Sequence, residues 1–130
     1  MRIIYLFIFL TLIHCTAVPL IPVIIESQNN DVGQKQTKLI EPPYEVNGKW
    51  FYPQNYDFFQ EVGIAKKIKD LNNGDLTKIN EHFHSDVMTA SHRSLPLPSY
   101  VRVTNASTGK FVNVRVNHRG AYSNTNVINL

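Results

Sequence analysis

The side chains in this chain that could move a proton at neutral pH are its five imidazoles, among them His92 in Ser91-His-Arg93 and His118 in Asn117-His-Arg-Gly120. An unperturbed imidazole has a pKa of ~6.5, so a fraction is protonated at neutral pH and the ring can act as acid or base. Carboxylates lie upstream of both. Glu81 and Asp86 are the last of them, and residues 87–130 carry five basic side chains and no acid. Each candidate also has a plain structural reading. His92 follows a strand and precedes Arg93, as a partly exposed polar residue does. His118 fits a turn, and Glu81 fits a solvated loop. Trp50, Tyr52 and Tyr100 offer ring faces that stack on sugars, but strand aromatics more often serve packing.

The elements that must position these groups are β-strands. In Tyr100-Val-Arg-Val-Thr104 and Phe111-Val-Asn-Val-Arg-Val116, valines alternate with polar or aromatic residues. A period of two puts the valines on one face and Arg102, Asn113 and Arg115 on the other. The link Asn105-Ala-Ser-Thr-Gly109 is short, polar and ends in glycine, which suits a hairpin. Leu95-Pro-Leu-Pro98 denies helix to its neighbourhood. Upstream, Asn47-Gly48 sits between strand formers and predicts a second, tight hairpin. Residues 61–65 predict a short strand, residues 66–80 a lysine-rich loop, and residues 127–130 a last strand.

At 130 residues the chain has room for one domain. Its net charge of +3 and pI of about 9.1 are mildly basic. The acid-free final third is either a solvated basic face or a surface for an anionic polymer. Nucleic acid is the weaker partner, because the basic residues are scattered and not interleaved with aromatics. One cysteine, Cys15, rules out an internal disulfide.

Arg2 followed by eleven nearly unbroken apolar positions, residues 3–13, resembles a signal-peptide core and is too short for a bilayer span of ~20 residues. Leu12-Ile-His-Cys15 resembles a lipobox that would place a lipid on Cys15. Cys15-Thr-Ala17 instead fits ordinary signal peptidase, and an uncleaved anchor is the third reading. The expected organisation is a leader over residues 1–17, a flexible linker over 18–43 and one domain over 44–130.

Thr89-Ala-Ser-His-Arg-Ser-Leu-Pro-Leu-Pro-Ser-Tyr-Val-Arg-Val-Thr-Asn105, followed by Val114-Arg-Val-Asn117 and Arg119-Gly120, closely resembles the rare lipoprotein A (RlpA) family. The resemblance covers residues 44–130. It implies an all-β fold, a double-psi β-barrel, carried by an exported envelope protein. It also implies endolytic peptidoglycan transglycosylase activity, preferring strands without stem peptides and serving wall remodelling and cell separation. By the same resemblance the catalytic positions are Glu81, His92 and 118, where the family places an aspartate and this chain has His118. Trp50, Tyr100, Asn117 and Arg119 are the substrate-binding candidates. The stretch Lys66-Lys-Ile-Lys69 replaces small and aromatic groove residues, and Ala121 and Asn129 replace a proline and an aspartate. The family's final helix and strand have no counterpart after Leu130, so the expected barrel is incomplete at its C-terminus, with unpaired sheet edges.

If Glu81, His92 and His118 converge, they form a two-histidine, one-glutamate set of the kind that binds catalytic zinc. Their spacing matches no metal motif, so neither metal nor cofactor is expected. The implied partner is the peptidoglycan strand, with the membrane as a second through Cys15, and the location is the bacterial cell envelope. The alternative function is a vestigial protein that binds the wall without cleaving it.

Overall fold

A computed structural model describes residues 20–27, 38 and 40–130. The leader, Cys15 and half of the expected linker lie outside the described residues.

The elements in chain order are β1 (Ile21–Ser27), β2 (Tyr44–Val46), β3 (Lys49–Phe51), β4 (Gln60–Lys66), β5 (Thr89–Ser91), β6 (Ser99–Asn105), β7 (Phe111–His118) and β8 (Asn126–Asn129). Six of them close a barrel in the order β1-β4-β8-β5-β7-β6, sealed by β1 against β6. β4 and β8 run parallel, as do β5 and β7. The other contacts are antiparallel, so the all-β barrel expected from the resemblance is present. β2 and β3 form the separate hairpin that Asn47-Gly48 predicts, with both turn residues at positive φ (51° and 77°).

The valine alternation does the work expected of it. Val101 and Val103 of β6 and Val114 and Val116 of β7 are buried in the barrel, beside Ala90, Leu95, Leu97 and Phe59. Each such burial contributes roughly 1.5–3 kcal/mol relative to exposure. Gly63 of β4 lies so close to β8 that a Cβ there would sit 2.3 Å from Val127 Cγ1. Only a residue without a side chain permits that approach.

Two expectations are corrected. The region read as linker supplies β1, whose Val23 and Ile25 are core residues, so the barrel begins well before Tyr44. Val23-Ile24-Ile25 is apolar without alternation, so no period of two marks it as a strand. The expected unpaired edges are also absent among the described barrel strands. β8 pairs with β4 on one side and with β5, through Ser91 and Asn129, on the other.

Candidate active site

Glu81 lies in the loop over residues 76–82, which is braced by its own backbone. Thr77 N donates to Glu81 O at 2.7 Å, Asn80 N to Thr77 O at 3.0 Å and Glu81 N to Thr77 Oγ1 at 3.2 Å. A bridge between Leu76 and His82 closes its base. The loop lies against the C-terminal end of β7. There Glu81 Oε2 accepts from Arg115 Nη1 and, at 3.2 Å, from Asn117 Nδ2. The Arg115 guanidinium holds the Glu81 carboxyl below its usual range, outweighing a burial effect in the other direction. With 37% of its side chain exposed, Glu81 is an ionised carboxylate open to solvent. Tyr100, paired across β6 and β7 with Arg115, leaves its ring partly exposed beside it.

The same loop engages His118 from another side: Lys78 N donates to His118 Nδ1 at 2.9 Å. Because Nδ1 is the acceptor, the neutral ring carries its proton on Nε2. Burial, with Lys78 and Arg119 assisting, pushes the His118 pKa down despite the opposing charge of Asp70. Forming an imidazolium here would break the bond to Lys78.

His92 is fully buried. Its Nδ1 accepts the backbone N–H groups of Ser94 and Leu95, each at 3.1 Å, and its Nε2 donates to Glu61 Oε2 at 3.1 Å. Burial, and secondarily the Arg119 charge, lowers its pKa to about 3. The contact with Glu61 is therefore a hydrogen bond from a neutral ring and not an ion pair. Glu61 also pairs with Arg93. Phe59 meets the His92 ring edge-on at 5.3 Å. The expectation that His92 is a partly exposed polar residue is overturned, because the turn after β5 folds it inward as an acceptor for that turn's own amides.

The three predicted catalytic residues are thus joined through backbone more than through side chains. His92 N donates to His118 O at 3.1 Å, and Asn117, next to His118, holds Glu81. The Glu81 and His92 side chains have different partners, Arg115 and Glu61, so the zinc-type set is not assembled. Gly120 makes the junction possible: a Cβ there would lie 2.7 Å from Ser91 Cβ.

Arg119 is buried at 4% exposure. Nη1 donates to Leu95 O at 2.6 Å and His92 O at 3.2 Å, and Nε donates to Glu41 Oε2. A cavity of about 400 Å³ opens beside it, lined by Glu41, Tyr44, Lys78, His118, Arg119 and Tyr122 among others. Tyr44 donates its hydroxyl to Arg93 O at 2.7 Å, and burial pushes its pKa well up. Tyr44 stacks on Phe51 at 5.5 Å, and Phe51 meets Tyr122 at 5.3 Å, which docks the β2–β3 hairpin here. Trp50, on the same hairpin, is more than half exposed. A larger hollow of about 630 Å³, lined by Lys67, Lys69, Phe83 and Met88 among others, includes none of the predicted site residues.

Glu41, Glu61, Arg115 and Lys78 were not singled out in the sequence. Glu41 lies in the stretch expected as linker, Glu61 within the short strand expected over 61–65, and Arg115 on the polar face of its strand. No local pattern marks them.

The endolytic peptidoglycan transglycosylase RlpA of Yersinia pestis is 41% identical over 70% of this chain and 26% of its own length. RlpA of Pseudomonas aeruginosa (strain UCBPP-PA14) is 46% identical over 68% of this chain and 26% of its own. RlpA of Escherichia coli (strain K12) is 38% identical over 67% and 24%. The chain's match thus spans about a quarter of the length of these curated relatives. No solved structure matches. A family model described as lytic transglycolase matches residues 60–130, which hold five of the six barrel strands together with Glu81, His92 and His118. That match covers more than half of the sequence, and the chain belongs to the lytic transglycolase family.

Proposed function

We propose that this barrel is an endolytic peptidoglycan lytic transglycosylase, acting on glycan strands in the bacterial cell envelope. The observation that carries the reading is the Glu81 carboxylate, kept ionised by Arg115 and Asn117 at a solvent-open position at the end of β7. Its family membership and the names of its relatives agree with it.

The reaction breaks the bond between muramyl C1 and the bridging oxygen and forms a bond from O6 to C1. The bridging oxygen gains a proton and the C6 hydroxyl loses one. An ionised Glu81 suits the second half: it stabilises positive charge developing at C1 and takes the C6 hydroxyl proton. His118 offers a neutral Nε2–H as a hydrogen-bond donor to the departing oxygen. The proton that Glu81 takes from the C6 hydroxyl passes on to that oxygen, which leaves Glu81 ionised again. The imidazole N–H is a weaker donor than the carboxylic acid that an aspartate at 118 would supply, so the chain works slowly. His92 acts as a positioning residue: it holds the turn whose amide at 92 meets His118 O. The exposed rings of Trp50 and Tyr100 offer stacking faces for sugars, and Asn117 acts through Glu81. Residues 1–17 serve as an export signal, with Cys15 the position for a lipid anchor.

The test is digestion of glycan stripped of stem peptides, followed by mass spectrometry of 1,6-anhydro ends. The expected result is slow product formation that Glu81→Gln reduces about a hundredfold or more, the usual worth of a general base. His118→Asp is expected to raise the rate. Retention on sacculi with no anhydro product from the wild type would overturn catalysis in favour of wall binding.

A further inference from the structure

Arg119 and Lys78 converge on a single carboxylate, that of Glu41. Arg119 Nε donates to Glu41 Oε2, and Lys78 Nζ lies 3.3 Å from Glu41 Oε1. A guanidinium with 4% exposure needs a counter-charge, because an unpaired buried cation is costly. Glu41 supplies it from outside the barrel, on the segment leading into the β2–β3 hairpin. The match is incomplete. A guanidinium favours a two-pronged grip on a carboxylate, but Glu41 engages only Nε, and Arg119 Nη2 is buried with no partner among the described residues. Two cations therefore share one internal anion beside a cavity of about 400 Å³, within the size range of small-ligand sites. The rings of Tyr44 and Tyr122 line the same cavity, as does His118.

We infer that Lys78 and Arg119 form a subsite for the carboxylate of an acidic sugar, and that Glu41 is its internal occupant until the ligand arrives. On the transglycosylase reading, on which this rests, the ligand group is the free lactyl carboxylate of a muramyl residue. A muramyl residue bearing a stem peptide carries an uncharged amide at that point. The subsite thus distinguishes the two by charge, and Tyr44 and Tyr122 provide faces for the ring.

Calorimetric titration of the full chain with three oligosaccharides tests this: a glycan fragment with free lactyl carboxylates, the same fragment amidated, and an N-acetylglucosamine oligomer. The free acid is expected to bind about tenfold more tightly than the other two, the scale of one charge-assisted hydrogen bond. Glu41→Gln is expected to tighten the free acid alone, by removing the internal competitor. Since that change also strips Arg119 of its counter-charge and can cost folding, Lys78→Gln is the second variant. Lys78 is half exposed, and its loss is expected to weaken the free acid several-fold and leave the other two unchanged. Equal binding of free and amidated fragments, or equal loss for all three in Lys78→Gln, overturns the subsite. The anhydro-product assay is read separately. Selectivity without cleavage retains the subsite and removes the enzyme reading, and cleavage without selectivity does the reverse.

Discussion

Glu81 and Arg115 are paired across the junction between the 76–82 loop and β7, and this pairing sets the charge state of the one carboxylate at the predicted site. A carboxyl group held below its ordinary value of 4.5 is ionised, and so available as a base, near neutral pH. It cannot also be the resting acid.

This pairing predicts the acid limb of the rate profile. Glu81 has a folded-state pKa below its unfolded value, so its ionised form persists below pH 4.5 and is lost only as pH falls through the depressed value. The acid limb of kcat/KM is therefore expected below pH 4.5. Arg115→Gln removes the main cause of the depression and is expected to move the limb upward. An unmoved limb would assign it to another group.

His92 predicts how folding stability depends on pH. Its folded pKa of about 3 lies below the ordinary 6.5, so the unfolded chain binds the proton that the buried ring refuses. The contribution is complete above pH ~6.5 and is lost as pH falls toward 3, at up to about 1.4 kcal/mol per pH unit. Urea unfolding at stepped pH is expected to show this decline in the wild type. His92→Gln, whatever its overall cost, is expected to flatten the slope.

Asn80 predicts how tightly the loop holds Glu81. Its φ of 59° lies in the left-handed region, and its side chain is exposed. Asn80→Ala is expected to cost about 1 kcal/mol, since alanine tolerates that conformation poorly and asparagine better. Asn80→Gly is expected to be close to neutral. Thermal unfolding measures the first effect. A fall in anhydro-product rate for the alanine variant alone would tie loop geometry to the placement of Glu81.

Much of the barrel was legible because its signals are local. Alternating valines in β6 and β7, Asn47-Gly48 and the glycine closing the β6–β7 link each dictate their own few residues. β1 was missed because Val23-Ile24-Ile25 carries no polar alternation. Its inward and outward faces appear only once β4 and β6 flank it.

The site divides along the same line. Residue types at 81, 92 and 118 were readable in order. Which side chain faces which was not, because partners such as Glu61 with His92, or Glu41 with Arg119, come from strands and segments far apart in the chain. Sequence alone determined the strand chemistry and the family, since these follow from neighbours along the backbone. Only the closed barrel decided the protonation of Glu81, His92 and His118, because burial and opposing charge are properties of what folding brings alongside.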